Sequence, residues 1–116
     1  MREERGQIAG DVMIYEPWNL WGSVGGNVTV IQGGKLYVRG AIYGNLVVEF
    51  GGRVHIFGNV SGNLIVNRGA KVIHSGVLGG DAINEGGRLF IDPPARIMGN
   101  VKTRSGDTTD KRKEKA

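Results

Sequence analysis

A glycine recurs at a constant interval through the middle of this 116-residue chain, and each is followed by asparagine or aspartate. The four glycines of this column are Gly26, Gly44, Gly62 and Gly80. Their interval is about 18 residues, and a fixed period of this order is the sequence signature of a stacked repeat architecture. We therefore expect one structural unit per repeat, with a Gly-Asn/Asp turn opening each unit.

Within one unit the apolar residues alternate with other residues, as in Val28 and Val30, then Leu36 and Val38, then Ile42. Glycines separate these short runs, which is typical of brief strands joined by tight turns. Such strands are too short to be stable alone and gain stability by stacking on the next unit. The sequence therefore predicts an all-β fold, a single-stranded β-helix (β-solenoid) of about five triangular rungs.

The repeat bounds the domain to residues 10–103, with a flexible segment at 1–9 and a disordered basic tail at 104–116. The net charge is +4, and the tail holds much of it in a stretch too polar to bury a core. Outside the tail the sequence offers no evident basic patch and no motif that reads DNA or RNA. No specific nucleic-acid partner is expected.

The rungs at both ends are irregular. In the first, YEPWNLW replaces a glycine turn, and Trp18 and Trp21 are predicted to cap or contact the open end of the stack. Ile97 and Met98 take the same role at the other end. The fourth rung is one residue shorter at its first strand and puts Asn84 where Val66 stands in the rung before.

Outward side chains would carry function on such a stack, because the inward ones fill the core. Two outward columns are more apolar than a solvated strand needs to be, which indicates an interface with protein. The residues predicted for it are Val47, Ile65 and Ile83 of the first column, and Tyr37, His55, Ile73 and Phe90 of the second, with Phe57 beside it.

Candidate chemistry is sparse. The chain has no cysteine and two histidines, His55 and His74, too few ligands for a metal site. Its glycine turns open no helix and match no phosphate-loop spacing. No Ser/His/Asp arrangement is recognisable, so we expect no catalytic residue, no metal, no cofactor and no enzymatic activity.

No apolar run approaches the ~18 residues of a membrane span, and the N-terminal residues lack the apolar core of a signal peptide. The absence of cysteine fits a reducing compartment. We expect a cytoplasmic protein with no transmembrane segment and no peripheral membrane contact.

The run GNLVVEFGGRVHIFGNVSGNLIVNRGAKVIHSGVLGG resembles the bactofilins, bacterial polymer-forming cytoskeletal proteins, with G-x-V-x-G-[ND]-[LI] repeats such as Gly58 to Leu64. The resemblance extends over about Val24 to Val101. It implies a right-handed β-helix that assembles with itself, without nucleotide, through its ends and lateral faces. Bactofilin cores usually have slightly more rungs, and their tails often carry a membrane-targeting stretch that this N-terminus lacks.

Two other functions remain open. A small β-solenoid module that binds another protein, such as an inhibitor, immunity-type protein or adaptor, would use one flat face and stay monomeric or dimeric. A hexapeptide-type transferase ranks third. Its six-residue spacing matches Val30, Leu36 and Ile42, but its catalytic histidine and acyl-donor loop are not evident here.

Overall fold

A computed structural model describes residues 1–113 of the chain, without the side chain of Lys113. Within these residues, seventeen strands follow one another, with a single 3-10 turn, Lys111–Lys113, after the last. The strands are β1 (Arg2–Glu4), β2 (Gln7–Ile8), β3 (Val12–Ile14), β4 (Pro17–Leu20), β5 (Ser23–Val24), β6 (Val28–Val30), β7 (Lys35–Val38), β8 (Ala41–Ile42), β9 (Leu46–Val48), β10 (Arg53–Ile56), β11 (Asn59–Val60), β12 (Leu64–Val66), β13 (Lys71–His74), β14 (Val77–Leu78), β15 (Ala82–Ile91), β16 (Arg96–Ile97) and β17 (Val101–Asp110).

Each strand pairs in parallel with the equivalent strand one turn away, so the chain winds into a β-solenoid of about six turns spaced about 18 residues apart. The solenoid has three faces. The first face contains β3, β6, β9, β12 and the starts of β15 and β17, and the second contains β1, β4, β7, β10, β13 and the ends of β15 and β17. The third face is the separate sheet of β2, β5, β8, β11, β14 and β16. The predicted all-β solenoid is therefore confirmed.

The core is a set of inward ladders. On the first face, equivalent residues one turn apart stack directly on one another and are fully buried: Val28, Leu46, Leu64 and Ala82. Parallel strands lie about 4.8 Å apart, so like side chains touch along the whole axis. Each fully buried aliphatic side chain contributes about 1.5–3 kcal/mol against conformational entropy. Stacking, not any single hairpin, supplies the stability.

A polar ladder runs along the corner where each unit opens. The side-chain oxygen of Asn27, for example, accepts a 2.8 Å hydrogen bond from the backbone N–H of Asn45 in the next turn. A Cβ added at Gly44 would meet that same oxygen and the carbonyl of Gly26. The Gly-Asn/Asp column predicted as a turn therefore has a physical cause, because glycine leaves room for the bond between turns.

The N-terminal residues form strands where the sequence predicted a flexible segment at 1–9. Strand β1 pairs with β4, and β2 pairs with β5. Ile8 packs against the core. Charged residues hid this turn from the apolar pattern, because an edge strand needs partners for its backbone on one side only and can leave its side chains in solvent.

The C-terminal residues also differ from the predicted tail. Strand β17 continues to Asp110 and pairs with β15 over most of its length, with register shifts at Glu85. Its polar composition suggested disorder, but backbone pairing and the amide of Asn84 hold it in place. The two terminal segments explain why the solenoid has about six turns instead of five. Residues 114–116 of the predicted tail lie outside the described residues.

Asn84 explains the short fourth rung. It lies in the inward column after Val48 and Val66 and is fully buried. Its Oδ1 accepts hydrogen bonds from the N–H groups of Gly86 and Gly87, at 3.0 and 2.8 Å. Its Nδ2 donates 3.0 Å bonds to the carbonyl of Asp107 and to Thr108 Oγ1. One side chain thus provides the acceptor for the backbone N–H groups of the tightened corner and joins that corner to β17.

Candidate interaction surfaces

The outward side chains of the first face form an uncharged column over five turns. They stack in the predicted register: Met13, Thr29, Val47, Ile65 and Ile83. Met13 is exposed, and the other four are half-buried by their neighbours. In the last turn the column ends at Lys102, whose Nζ lies 3.6 Å from the Asp81 carboxylate. The first face therefore offers an apolar strip bounded by charge at one end.

The outward side chains of the second face are mainly aromatic. Their column is Tyr37, His55, Ile73 and Phe90, again in the predicted register. The His55 and Phe57 rings stack with centroids 3.9 Å apart, and Phe57 is 43% exposed. The Arg39 guanidinium lies 4.8 Å from the Phe57 ring centroid. This strip is therefore apolar and cationic at once, unlike that of the first face.

A row of cations borders the aromatic column, and it was not predicted from the sequence. The pairing of consecutive strands stacks four of them on successive turns: Lys35, Arg53, Lys71 and Arg88. They recur in the chain at nearly the same interval as the glycines of the corner column. The period that revealed the glycines would also have revealed this row. We call it the cation row.

His55, Ser75 and Asp92 come together at the rim of the second face, although no sequence motif indicated such a cluster. Ser75 Oγ donates a 2.6 Å hydrogen bond to Asp92 Oδ2, and His55 Nε2 lies 3.1 Å from Ser75 Oγ. In a nucleophilic triad the histidine stands between serine and carboxylate and takes the serine proton. Here the serine stands in the middle and its proton points to Asp92, so His55 donates to it. The order of groups suits a hydrogen-bond network.

His74, the other histidine, points inward. It is fully buried between Ile56 and Ile91 in one ladder, and its Nε2 lies 3.1 Å from the carbonyl oxygen of Arg96. Its Nδ1 has no hydrogen-bond partner among the described residues. Burial lowers the pKa of His74, and nearby Arg112 lowers it further.

Within residues 1–113, no group of three or more histidines and carboxylates is placed to hold a metal ion.

The two tryptophans lie one turn inside the N-terminal end. Trp18 is an inward residue of β4, 5% exposed, and the Arg2 guanidinium covers it 4.2 Å from the ring centroid. Trp21, at the corner, donates a 2.7 Å hydrogen bond to Glu3. Hydrogen bonds from Asn19 and Trp21 lower the pKa of Glu3. Strand β1 therefore takes the terminal position that was expected of the tryptophans.

The C-terminal end has a similar charged strand. Ile97 packs partly buried against the core, while Met98 is 62% exposed at the next corner. The Arg112 guanidinium makes two hydrogen bonds to the Asp110 carboxylate, at 2.9 and 2.8 Å. Asp110 continues the inward ladder of His74 and Ile91. Both ends thus place an arginine and a carboxylate close to the core.

Within residues 1–113 the one helical segment is a three-residue 3-10 turn, and no helix there has the length and hydropathy of a membrane span.

No family model, curated protein or solved structure matches this chain.

Proposed function

We propose that this chain is a non-enzymatic structural protein that assembles with copies of itself, as its resemblance to the bactofilins suggests, and that it does so laterally through the first face. The observation that carries the proposal is the uncharged outward column around Val47, Ile65 and Ile83. An ordered strip of aliphatic side chains on a rigid sheet is costly to leave in water and is typical of an interface between proteins. No nucleotide is required for this contact.

The positive charge of the second face makes the first face the more favourable contact between two copies. If two copies met through their second faces, the cation row and Arg39 of one copy would face the same cations of the other. Like charges held close together oppose association. The first face carries no charge between Met13 and Ile83 in its outward column. A two-fold pairing of first faces is therefore free of that repulsion.

The ends favour lateral over end-to-end contact. Proteins protect exposed strand edges with charged residues. The Arg2 and Glu4 side chains form a 3.1 Å ion pair at one end, and Arg112 binds Asp110 at the other. Stacking one copy on the next would bury these groups. End-to-end growth is therefore the weaker route in this proposal.

Sedimentation velocity over a hundredfold range of concentration, with negative-stain microscopy of the same samples, tests the proposal. Val47→Asp and Ile65→Asp should shift the chain to monomer while its circular dichroism stays that of a folded β protein. Val77→Asp is the matched control, because Val77 points outward on the third face. Wild-type chain that stays monomeric at every concentration would refute self-assembly.

The second candidate, a small module that binds another protein, is favoured by the charged strands at both ends, which suit a discrete monomer. It uses the same apolar column with a different occupant. In that case the wild-type chain sediments as a monomer or dimer that does not grow with concentration, and Val47→Asp leaves its sedimentation unchanged.

A further inference from the structure

The cation row lies parallel to the solenoid axis. Its members take the same strand position on four successive turns, between Pro17 below and Asp107 above. With about 4.8 Å between turns, the row spans about 14 Å. Three of the side chains are exposed, and that of Lys71 is half-buried. The fold therefore holds four positive charges in a straight line on a rigid support.

None of the four cations makes an ion pair within the described part of the chain. Instead, Lys35 Nζ lies 5.4 Å from the centroid of the Tyr37 ring, and Lys71 Nζ lies 5.8 Å from that of Phe90. Like charges directly opposite on neighbouring strands destabilise a sheet. The row contains three such neighbouring pairs with no carboxylate between them. Their repulsion destabilises the sheet, and a bound polyanion would remove that repulsion.

Two depressions flank the row. On one side is a groove of about 350 Å³, lined by the corner residues Gly51, Gly69 and Gly86 and walled by Arg53, Lys71 and Arg88. On the other side is a trough of about 210 Å³ between the row and the aromatic column, lined in part by Tyr37, His55 and Ile73. A chain lying along the row would have one depression for its backbone and the other for its side groups.

We propose that the cation row binds single-stranded nucleic acid, with phosphates against Lys35, Arg53, Lys71 and Arg88 and bases over the aromatic column. Proteins that bind single strands combine a positively charged groove along the backbone with aromatic side chains beside it. The lysines now over Tyr37 and Phe90 would move onto phosphates, which leaves the rings to the bases. This site lies on the second face and does not depend on assembly through the first.

The shape of the site favours a single strand over other polyanions. A duplex is too wide and too stiff to follow a groove of this size, and its stacked bases cannot reach the rings. A bilayer presents a plane of headgroups, which would leave the groove empty. Because the row is about 14 Å long, it contacts about two or three phosphates of an extended strand. Binding by one chain is therefore weak and independent of sequence, and its affinity falls with salt with a log–log slope of only about −1.4 to −2.1.

Fluorescence anisotropy of a labelled oligothymidylate of about 15 nucleotides, at low and moderate salt, tests this site. Lys71→Glu should lower the affinity about tenfold or more and flatten the salt dependence. The new carboxylate would lie between Arg53 and Arg88, so the variant gains ion pairs and should remain folded. Arg96→Glu is the matched control, since it makes the same charge change on the third face and should leave the affinity unchanged.

Phe90→Leu separates stacking from charge. It should weaken oligonucleotide binding several-fold without changing the salt slope, because the variant loses base stacking and keeps every phosphate contact. Equal loss of affinity in Lys71→Glu and Arg96→Glu would overturn the proposal, since net charge alone would then explain binding. Tighter binding of a duplex of the same length would also overturn it.

Vesicles of phosphatidylglycerol provide the last arm of the experiment. If they capture the wild-type chain but not Lys71→Glu, and the oligonucleotide does not bind, the row serves an anionic membrane and the proposal is wrong. Sedimentation of Lys71→Glu keeps this result separate from assembly. The variant should associate as the wild type does, whether or not it binds the oligonucleotide.

Discussion

The side-chain oxygen of Asn45 accepts a 2.8 Å hydrogen bond from the backbone N–H of Asn63, one full turn of the solenoid later. The same bond recurs at every turn from Asp11 to Asn100. An unbroken polar ladder thus runs beside the apolar ladders of the core. It links the start of each turn to the start of the turn before.

Asn45→Ala should lower the free energy of unfolding by about 1–2 kcal/mol, because the N–H of Asn63 loses its acceptor at a partly buried corner. Asn45→Asp keeps an oxygen there, as Asp11 and Asp81 do, and should recover most of the loss. Urea denaturation measures both. As a control, Asn59→Ala changes an exposed side chain of the third face and should stay within about 0.5 kcal/mol of wild type. An Asn45→Ala variant as stable as that control would contradict the role of the ladder.

Gly62→Ala should destabilise the fold by about 1–3 kcal/mol through overpacking. A Cβ at this position would lie against Asn45 Oδ1 and 2.6 Å from the carbonyl oxygen of Gly44. Gly25→Ala is the matched control, since its Cβ would have no atom closer than 3.5 Å. Thermal unfolding of the two variants should differ by several degrees. Equal melting temperatures would mean that the corner can open at little cost.

Asn84→Val restores the apolar ladder of Val48 and Val66 but removes the amide. It should cost about 2–4 kcal/mol, because the N–H groups of Gly86 and Gly87 are left without an acceptor. Limited proteolysis should then cut β17, which loses two bonds from Asn84, before it cuts the rest of the solenoid. Glu85→Gln, at an exposed ion pair with Arg104, is the control and should leave both stability and cleavage unchanged. Unaltered proteolysis of Asn84→Val would refute this role.

The stability of the chain should fall as the pH drops below about 6.5. Burial lowers the pKa of His74 from 6.5, so the unfolded chain binds the proton more readily than the folded one. Protonation would place an N–H on Nδ1, which has no partner in the described part of the core, and the positive charge of Arg112 would oppose the new charge. His55, whose pKa burial also lowers, acts in the same direction. Stability is therefore full above that pH and is lost progressively below it.

Urea midpoints between pH 5.5 and 8 measure this dependence, in a range above the titration of ordinary carboxylates. His74→Leu continues the ladder of Ile56 and Ile91 and should flatten most of the dependence without loss of stability at pH 8. His55→Phe is the comparison and should remove a smaller part. A His74→Leu variant with the full pH dependence would assign it to other groups.

The sequence determined the repeat, the three strands per turn and the inward and outward registers. The reason is that a constant period with alternating residues decides which side chains can stack. The placement of Val47, Ile65 and Ile83 in one column followed from that period alone. Their role as an interface stays a prediction.

Only the tertiary structure decided what happens at the ends and rims of the stack. The strands at Arg2–Glu4 and Val101–Asp110 carry no apolar pattern that the sequence could reveal. They form because their backbones pair with one neighbouring strand each. The meeting of His55 with Ser75 and Asp92, and the partners of Asn84, depend on corners whose length varies from turn to turn. The cation row could have been predicted from the sequence, since its charges recur with nearly the period of the glycines. Its two flanking depressions and its lack of ion pairs within residues 1–113 could not have been predicted, because they depend on where every other side chain lies.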